Sequence, residues 1–210
     1  MFTTGLSKNT QGNLALLGRQ KWASSFYLAG GTACSLYFGH RLSFDLDFFT
    51  SKEFNPKTIT ERLKSLGKLT VDQDTEGTFL GSLNEIKISF FIYPYPPIFK
   101  PGIFQNVAVA DLRDIACMKI DAISTRGTKR DFIDLFFICK KYKLLTLFDF
   151  FGKKYKGVDY NLFHLVKSLS YFTNAEEQQM PQMIEKISWQ EVKKFYIDET
   201  RTLTKKILEI

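Results

Sequence analysis

Leu28-Ala29-Gly30-Gly31-Thr32-Ala33, followed by Gly39-His40-Arg41-Leu42-Ser43-Phe44-Asp45-Leu46-Asp47-Phe48-Phe49, is the stretch that decides the fold. Ser25 to Ala29 is short, apolar and aromatic, which predicts a buried strand. The glycine pair breaks it. Thr32 to Phe38 then reads as a short helix with Gly39 as its stop, and Phe44 to Phe49 as a second strand. Side chains two apart on a strand share a face. Asp45 and Asp47 therefore project together, while Leu46 and Phe48 point into the core. Two carboxylates so placed repel each other unless a cation lies between them. Hard oxygen ligands at this spacing suit Mg²⁺ or Mn²⁺, with Asp45 and Asp47 as metal ligands. A merely solvated acidic strand edge fits Asp-x-Asp as well, so the glycines carry weight. Gly30-Gly31 lets the backbone approach a ligand, and a helix N-terminus offers free N–H groups to phosphate. Thr32 adds a hydroxyl. Arg41 can reach phosphates, Ser43 can bond a nucleotide or cap the turn, and His40 reads as structural.

Outward from this stretch, the first half mixes strands and helices. Asn13 to Ser24 and Pro56 to Ser65 read as helices, the latter with proline at its start. Lys68 to Asp74, Thr78 to Leu83 and Glu85 to Tyr93 read as strands, with turns at Glu76-Gly77 and Leu83-Asn84. Pro94 to Gly102 holds four of the six prolines and reads as a loop. After it no further strand is expected. Helices are expected from Asp111 to about Arg126, from Thr128 or Lys129 to Tyr142, and over Leu144–Lys154, Asn161–Phe172 and Pro181–Ile210. Ser188-Trp189-Gln190-Glu191 matches a capping box. The expected architecture is α+β: a small mixed sheet with helices over residues 1–110, then a helical region over 111–210 that contributes to the site and to acceptor binding.

Composition narrows the function. With 210 residues, 44% apolar and 24% charged, the chain can bury a sizeable core. No apolar run is long enough to span a bilayer, and no signal core precedes Asn13. Cys34, Cys117 and Cys139 are an odd set without metal-like spacing. Together these point to a cytoplasmic protein without membrane partners. Two histidines and no Gly-x-Ser-x-Gly argue against hydrolases of the usual triad type. The net charge is +7, and 18 of the 29 basic residues follow Leu112. Lys140, Lys141, Lys143, Lys153, Lys154 and Lys156 face Asp149 alone within their segment. Such a patch attracts a polyanion such as RNA, or is a solvated face.

The quoted stretch resembles the AbiEii/AbiGii toxin family of nucleotidyltransferases, within the polymerase-β-like nucleotidyltransferase superfamily. Lys119 and Lys129-Arg130-Asp131-Phe132-Ile133-Asp134-Leu135 are similar to that family's later motifs. The resemblance covers roughly residues 26–140. It implies a toxin of abortive-infection and toxin–antitoxin systems, with an antitoxin as partner. It also implies metal-dependent transfer of a nucleotide from a nucleoside triphosphate to an acceptor hydroxyl, tRNA first and protein second. Asp45, Asp47, Lys119 and Asp131 would be catalytic, and Gly30, Gly31, Thr32, Arg41, Ser43 and Lys119 would bind the nucleotide.

The residues also speak for themselves here. Lys119 falls in the apolar stripe of Leu112, Ile115, Ala116, Ala122 and Ile123, where a lysine is costly unless it meets an anion or snorkels out. If a triphosphate is that anion, Lys119→Met should leave stability intact or raise it. Asp131 shares a helix face with Asp134. It could hold Lys119, orient a base, or simply open its helix. Polymerase-β-like catalysts commonly carry a third carboxylate on a later strand, yet Ile86-Lys87-Ile88-Ser89-Phe90 shows Lys87 and Ser89 on its polar side. Glu85, Asp72 and Asp74 are the possible substitutes. The gap sustains an alternative, a non-catalytic nucleotide-binding or interaction module of the same fold.

Overall fold

The computed structural model describes residues 1–207. The last residues of the expected Pro181–Ile210 helix, from 208 on, lie outside them. Two compact units divide the chain, Met1–Asp111 and Leu112–Ile210.

Unit 1 is one seven-stranded mixed sheet with helices. Its elements are α1 (Lys8–Gly18), a 3-10 segment (Lys21–Ser25), β1 (Tyr27–Ala29), α2 (Gly30–Phe38), β2 (Leu46–Thr50), α3 (Pro56–Lys64), β3 (Leu69–Thr75), β4 (Thr78–Leu83), β5 (Ile86–Ile92), β6 (Gly102–Phe104) and β7 (Val107–Val109). The strand order is β3-β4-β5-β2-β1-β7-β6. β1 runs antiparallel to β2 and parallel to β7, and β2 runs parallel to β5. Register follows the alternation in sequence, because a one-residue slip would turn every apolar side chain to the wrong face. Leu28, Phe48, Phe90 and Phe79 come into line on one face, all buried. Phe90 is the centre of that face: Phe48 stacks on it at 5.0 Å, and Phe26 and Trp22 pack at 5.0 and 5.9 Å. The opposite face carries Ala29, Asp47 and Ser89.

Two expectations shift. α1 begins at Lys8 rather than Asn13, because Ser7 caps it by accepting from the Thr10 N–H at 3.0 Å. The chain also returns to strand after the proline loop. β6 and β7 form a hairpin about Gln105 and Asn106, both at positive φ, and β7 supplies the parallel neighbour of β1. Elsewhere in unit 1 the elements lie close to their expected bounds; in unit 2 the helix expected over Asn161–Phe172 ends at Ser168. Asn55 caps α3 with proline in its first turn, and Gly39 ends α2 in the left-handed conformation.

Unit 2 is helical: α4 (Leu112–Thr125), α5 (Lys129–Cys139), α6 (Leu144–Lys154), α7 (Leu162–Ser168), α8 (Thr173–Glu176) and α9 (Trp189–Ile207). Residues 181–188 are not helical, and α9 starts at the capping box. Ser188 N–H donates to Glu191 Oε2 at 2.8 Å, while Glu191 N–H donates to Ser188 Oγ at 3.2 Å. Phe132 anchors the core, with Phe172, Trp189 and Tyr196 around its ring at 5.2 to 5.9 Å. Among the described residues no helix is long and apolar enough to cross a membrane.

Candidate active site

In unit 1 the site is built where β1 turns into α2 beside the start of β2. Ala29 pairs with Asp47, so Gly30 leaves the strand directly next to that carboxylate. The two glycines are required for different reasons. Gly30 has φ +70, and a Cβ there would stand 3.1 Å from Asp47 Oδ2. Gly31 has an ordinary φ, but its Cβ would stand 2.4 Å from Arg41 Nη2 and 3.2 Å from Ser43 Oγ. The second glycine thus makes room for a guanidinium laid across the helix N-terminus. Arg41 is buried, and its Nη1 donates to the Leu42 carbonyl at 3.0 Å. A cation fixed beside the unsatisfied N–H groups of a first turn makes the place attractive to anions.

The hydroxyls of Thr32 and Ser43 are hydrogen-bonded within the protein, and Ser43 takes the turn role that was one of its two expected ones. Thr32 Oγ1 donates to the Asp45 carbonyl at 2.5 Å and is hydrogen-bonded to Ser43 Oγ at 2.9 Å. Ser43 N–H donates to the Gly5 carbonyl at 2.8 Å, and Ser35 Oγ to the Arg41 carbonyl at 3.0 Å. Thr32 and Ser43 therefore fix the loop that presents Asp45. What Thr32 can give a ligand is its backbone N–H. Ser35, which the sequence did not single out, belongs to this set.

Asp45 stands one residue before β2 and Asp47 within it, both half-buried. The donor set suits a hard divalent ion: two carboxylates at one strand end, with a glycine in place of any side chain that would crowd Asp47. The strand beside them carries no acid. Ser89 is the registered partner of Asp47. Asp72 and Asp74 lie on β3, three strands away from β2 across β4 and β5, or about 14 Å at the usual strand spacing. They are removed as substitutes for a third carboxylate. Glu85 sits in the exposed turn between β4 and β5, at positive φ.

In unit 2, Lys119 is buried and bound by two carboxylates, Asp131 at 2.9 Å and Asp134 at 2.6 Å. Arg126 adds a two-pronged contact to Asp131, Nε at 2.9 Å and Nη2 at 3.1 Å, and Thr128 donates its hydroxyl at 2.6 Å. Burial pushes the Asp131 carboxyl up. The Lys119 charge, then Arg126 and Thr128, pull it down further, and the carboxyl ends well below the usual carboxylate range. Asp131 is also the third residue of α5, whose N-cap Thr128 accepts from its N–H. Holding the lysine and opening the helix are thus one arrangement. Asp134 and Arg126 were missed as members. The signal for Asp134 was its spacing from Asp131; Arg126 lies past the end of α4, where helical spacing says nothing. The pairing also reverses the stability expected of Lys119→Met, since two buried carboxylates would lose their counter-charge.

One of the six patch lysines is not on the surface. Lys154 is buried, its Nζ 2.8 Å from Asp114 Oδ1, with 0% and 1% of the two side chains exposed. It ties α6 to α4 and has no charge to offer a polyanion. Lys140, Lys141, Lys143, Lys153 and Lys156 are exposed, Lys140 near Glu185 at 3.7 Å.

The family described as "Nucleotidyl transferase AbiEii toxin, Type IV TA system" matches residues 14–202. The chain belongs to the AbiEii nucleotidyltransferase toxin family. An uncharacterized protein of Aquifex aeolicus (strain VF5) is 40% identical over 185 residues, 82% of this chain and 85% of that one. Two solved structures share the fold. An H. pylori protein provisionally named a nucleotidyltransferase has a TM-score of 0.61 at 19% identity, covering 97% of this chain and 98% of its own. MenT4, a nucleotidyltransferase toxin of Mycobacterium tuberculosis H37Rv, has 0.59 at 15%, covering 92% and 82%. AbiEii membership makes the chain a nucleotidyltransferase by family, and these two structures share its fold.

Proposed function

We propose that this AbiEii protein transfers a nucleotide from a nucleoside triphosphate to a hydroxyl of RNA, with tRNA as the first acceptor class and a protein hydroxyl as the second. The observation that supports it most is the juxtaposition of Gly30 and Asp47. A left-handed glycine opens a helix N-terminus against a half-buried carboxylate, so phosphate and metal ligands share one corner. Asp45 and Asp47 would hold Mg²⁺ or Mn²⁺, which when bound supplies charge neutralisation across the phosphates. The N–H groups of Gly31 and Thr32 and the Arg41 guanidinium cradle phosphate oxygens. Thr32 and Ser43 keep the Asp45 loop from moving during the step. The acceptor hydroxyl gives its proton to solvent and bonds to the α-phosphorus; the bond to the β-phosphate oxygen breaks, and pyrophosphate leaves. Catalysis is mostly positioning and electrostatics. The family resemblance would give Lys119 to the triphosphate as well; within its own unit Asp131 and Asp134 orient it. Membership in a toxin family supports a cognate antitoxin as partner and a cytoplasmic setting.

Incubation with each α-³²P-labelled triphosphate, Mg²⁺ and total RNA tests this. Label should enter RNA. Asp45→Asn and Asp47→Asn should each abolish transfer while leaving thermal unfolding unchanged, and the double variant should be little worse, because residues acting as a unit are not additive. Full transfer by either single variant would end the two-aspartate mechanism.

A further inference from the structure

Unit 2 holds a cavity of about 260 Å³ that this mechanism does not use. Its walls are the end of α4, with Arg126, and one face of α7 and the turn that extends it. His164, Lys167 and Tyr171, three and four residues apart, line that face. Asn174 closes the rim, and its Nδ2 donates to the Arg126 carbonyl at 3.1 Å. The lining brings together two permanent cations, of which Arg126 is already paired with Asp131 behind it, a histidine and an aromatic ring.

Arg126 is preorganised there. Its Nε and Nη2 are held by Asp131, yet 64% of its side chain is exposed. Tyr171 is 61% exposed, a large ring left in water beside cations. An exposed ring next to basic groups is how proteins take unpaired bases, since every base has a face to stack and a phosphate to neutralise. The volume falls just under the range of small-molecule pockets, room for one nucleotide and too little for a duplex. An acidic peptide would use the cations but leave the ring idle.

We infer that this cavity binds one unpaired nucleotide of single-stranded RNA, the base on Tyr171 and the phosphate between Arg126 and Lys167. The inference rests on the proposed RNA acceptor. Its test is fluorescence anisotropy of the full chain with a short fluorescein-labelled single-stranded RNA, a readout that needs no turnover. Tyr171→Ala should weaken binding roughly tenfold and Tyr171→Phe should keep it, as stacking requires. Lys167→Gln should flatten the salt dependence by about 0.7 in log–log slope, the share of one single-strand phosphate contact. Triphosphate binding should be the same in all three variants. Wild-type affinity in Tyr171→Ala, or no RNA binding by the unmodified chain, would overturn the cavity's role. Label entering protein without RNA would then leave nucleotide transfer standing. Conversely, Tyr171-dependent RNA binding without any label transfer would uphold the cavity and sink the transfer reading.

Discussion

Gly30 and Asp131 each carry a consequence that a single substitution exposes. A methyl group on Gly30 meets two obstacles: a left-handed backbone that L-residues enter at about 1–2 kcal/mol, and Asp47 Oδ2 at 3.1 Å. Gly30→Ala should therefore lose activity far beyond its loss of stability, about a hundredfold if the carboxylate moves by an ångström. Label transfer set against the thermal midpoint measures the two separately. Asp131 bears on acid stability. Its folded value is depressed, so the ionised carboxylate contributes stability at pH above its unfolded value of about 4, and that contribution drains away as pH falls from there toward the folded value. Urea unfolding at pH between about 4 and 2 should show a steeper loss in the wild type than in Asp131→Asn. Parallel pH profiles would mean that Asp131 titrates alike in both states.

Among the helices, two lysines act as bolts. Lys154 on α6 meets Asp114 on α4, and Lys119 on α4 meets Asp131 and Asp134 on α5. Removing one partner of a buried pair strands the other, at about 3–5 kcal/mol. Lys154→Met and Lys119→Met should each lower the denaturant midpoint accordingly. Lys153→Gln, on the exposed side of α6, should shift stability by no more than about 0.5 kcal/mol. These bolts also mark how far the sequence could be read. The period-two alternation of Leu46 and Phe48, the glycine stops and the Ser188–Glu191 capping box are local signals, and they foretold most elements and the Gly30–Asp47 corner. Lys119 was legible because an apolar stripe surrounds it. Lys154 was not: its partner lies 40 residues away, and its neighbours in sequence are surface lysines. β6 and β7 escaped because strands of three residues are too short to show alternation, and Gln105-Asn106 lacks the glycine that usually announces a hairpin. Why Thr32 and Ser43 serve the Asp45 loop was equally hidden, since a hydroxyl's partner is a matter of three-dimensional placement.

For the molecule as a whole, the +7 charge would make the proposed binding to RNA a question of salt. If Lys143, Lys153 and Lys156 contact acceptor phosphates, their replacement by Gln should flatten the log–log salt slope by up to about three units, with triphosphate affinity unchanged. Filter binding across a salt series measures it, and an unaltered slope would make the lysines a solvated face. The sheet has a different consequence. β1 is three residues long and is flanked by β2, shortly downstream, and by β7, about 80 residues later. A ribosome adding roughly 5–20 residues per second needs several seconds to cover that gap. For most of that time the nascent chain already contains Gly30, Arg41, Asp45 and Asp47 but lacks β7, the parallel neighbour of β1. The sheet that carries the two aspartates is therefore complete only after about half of the chain has been made.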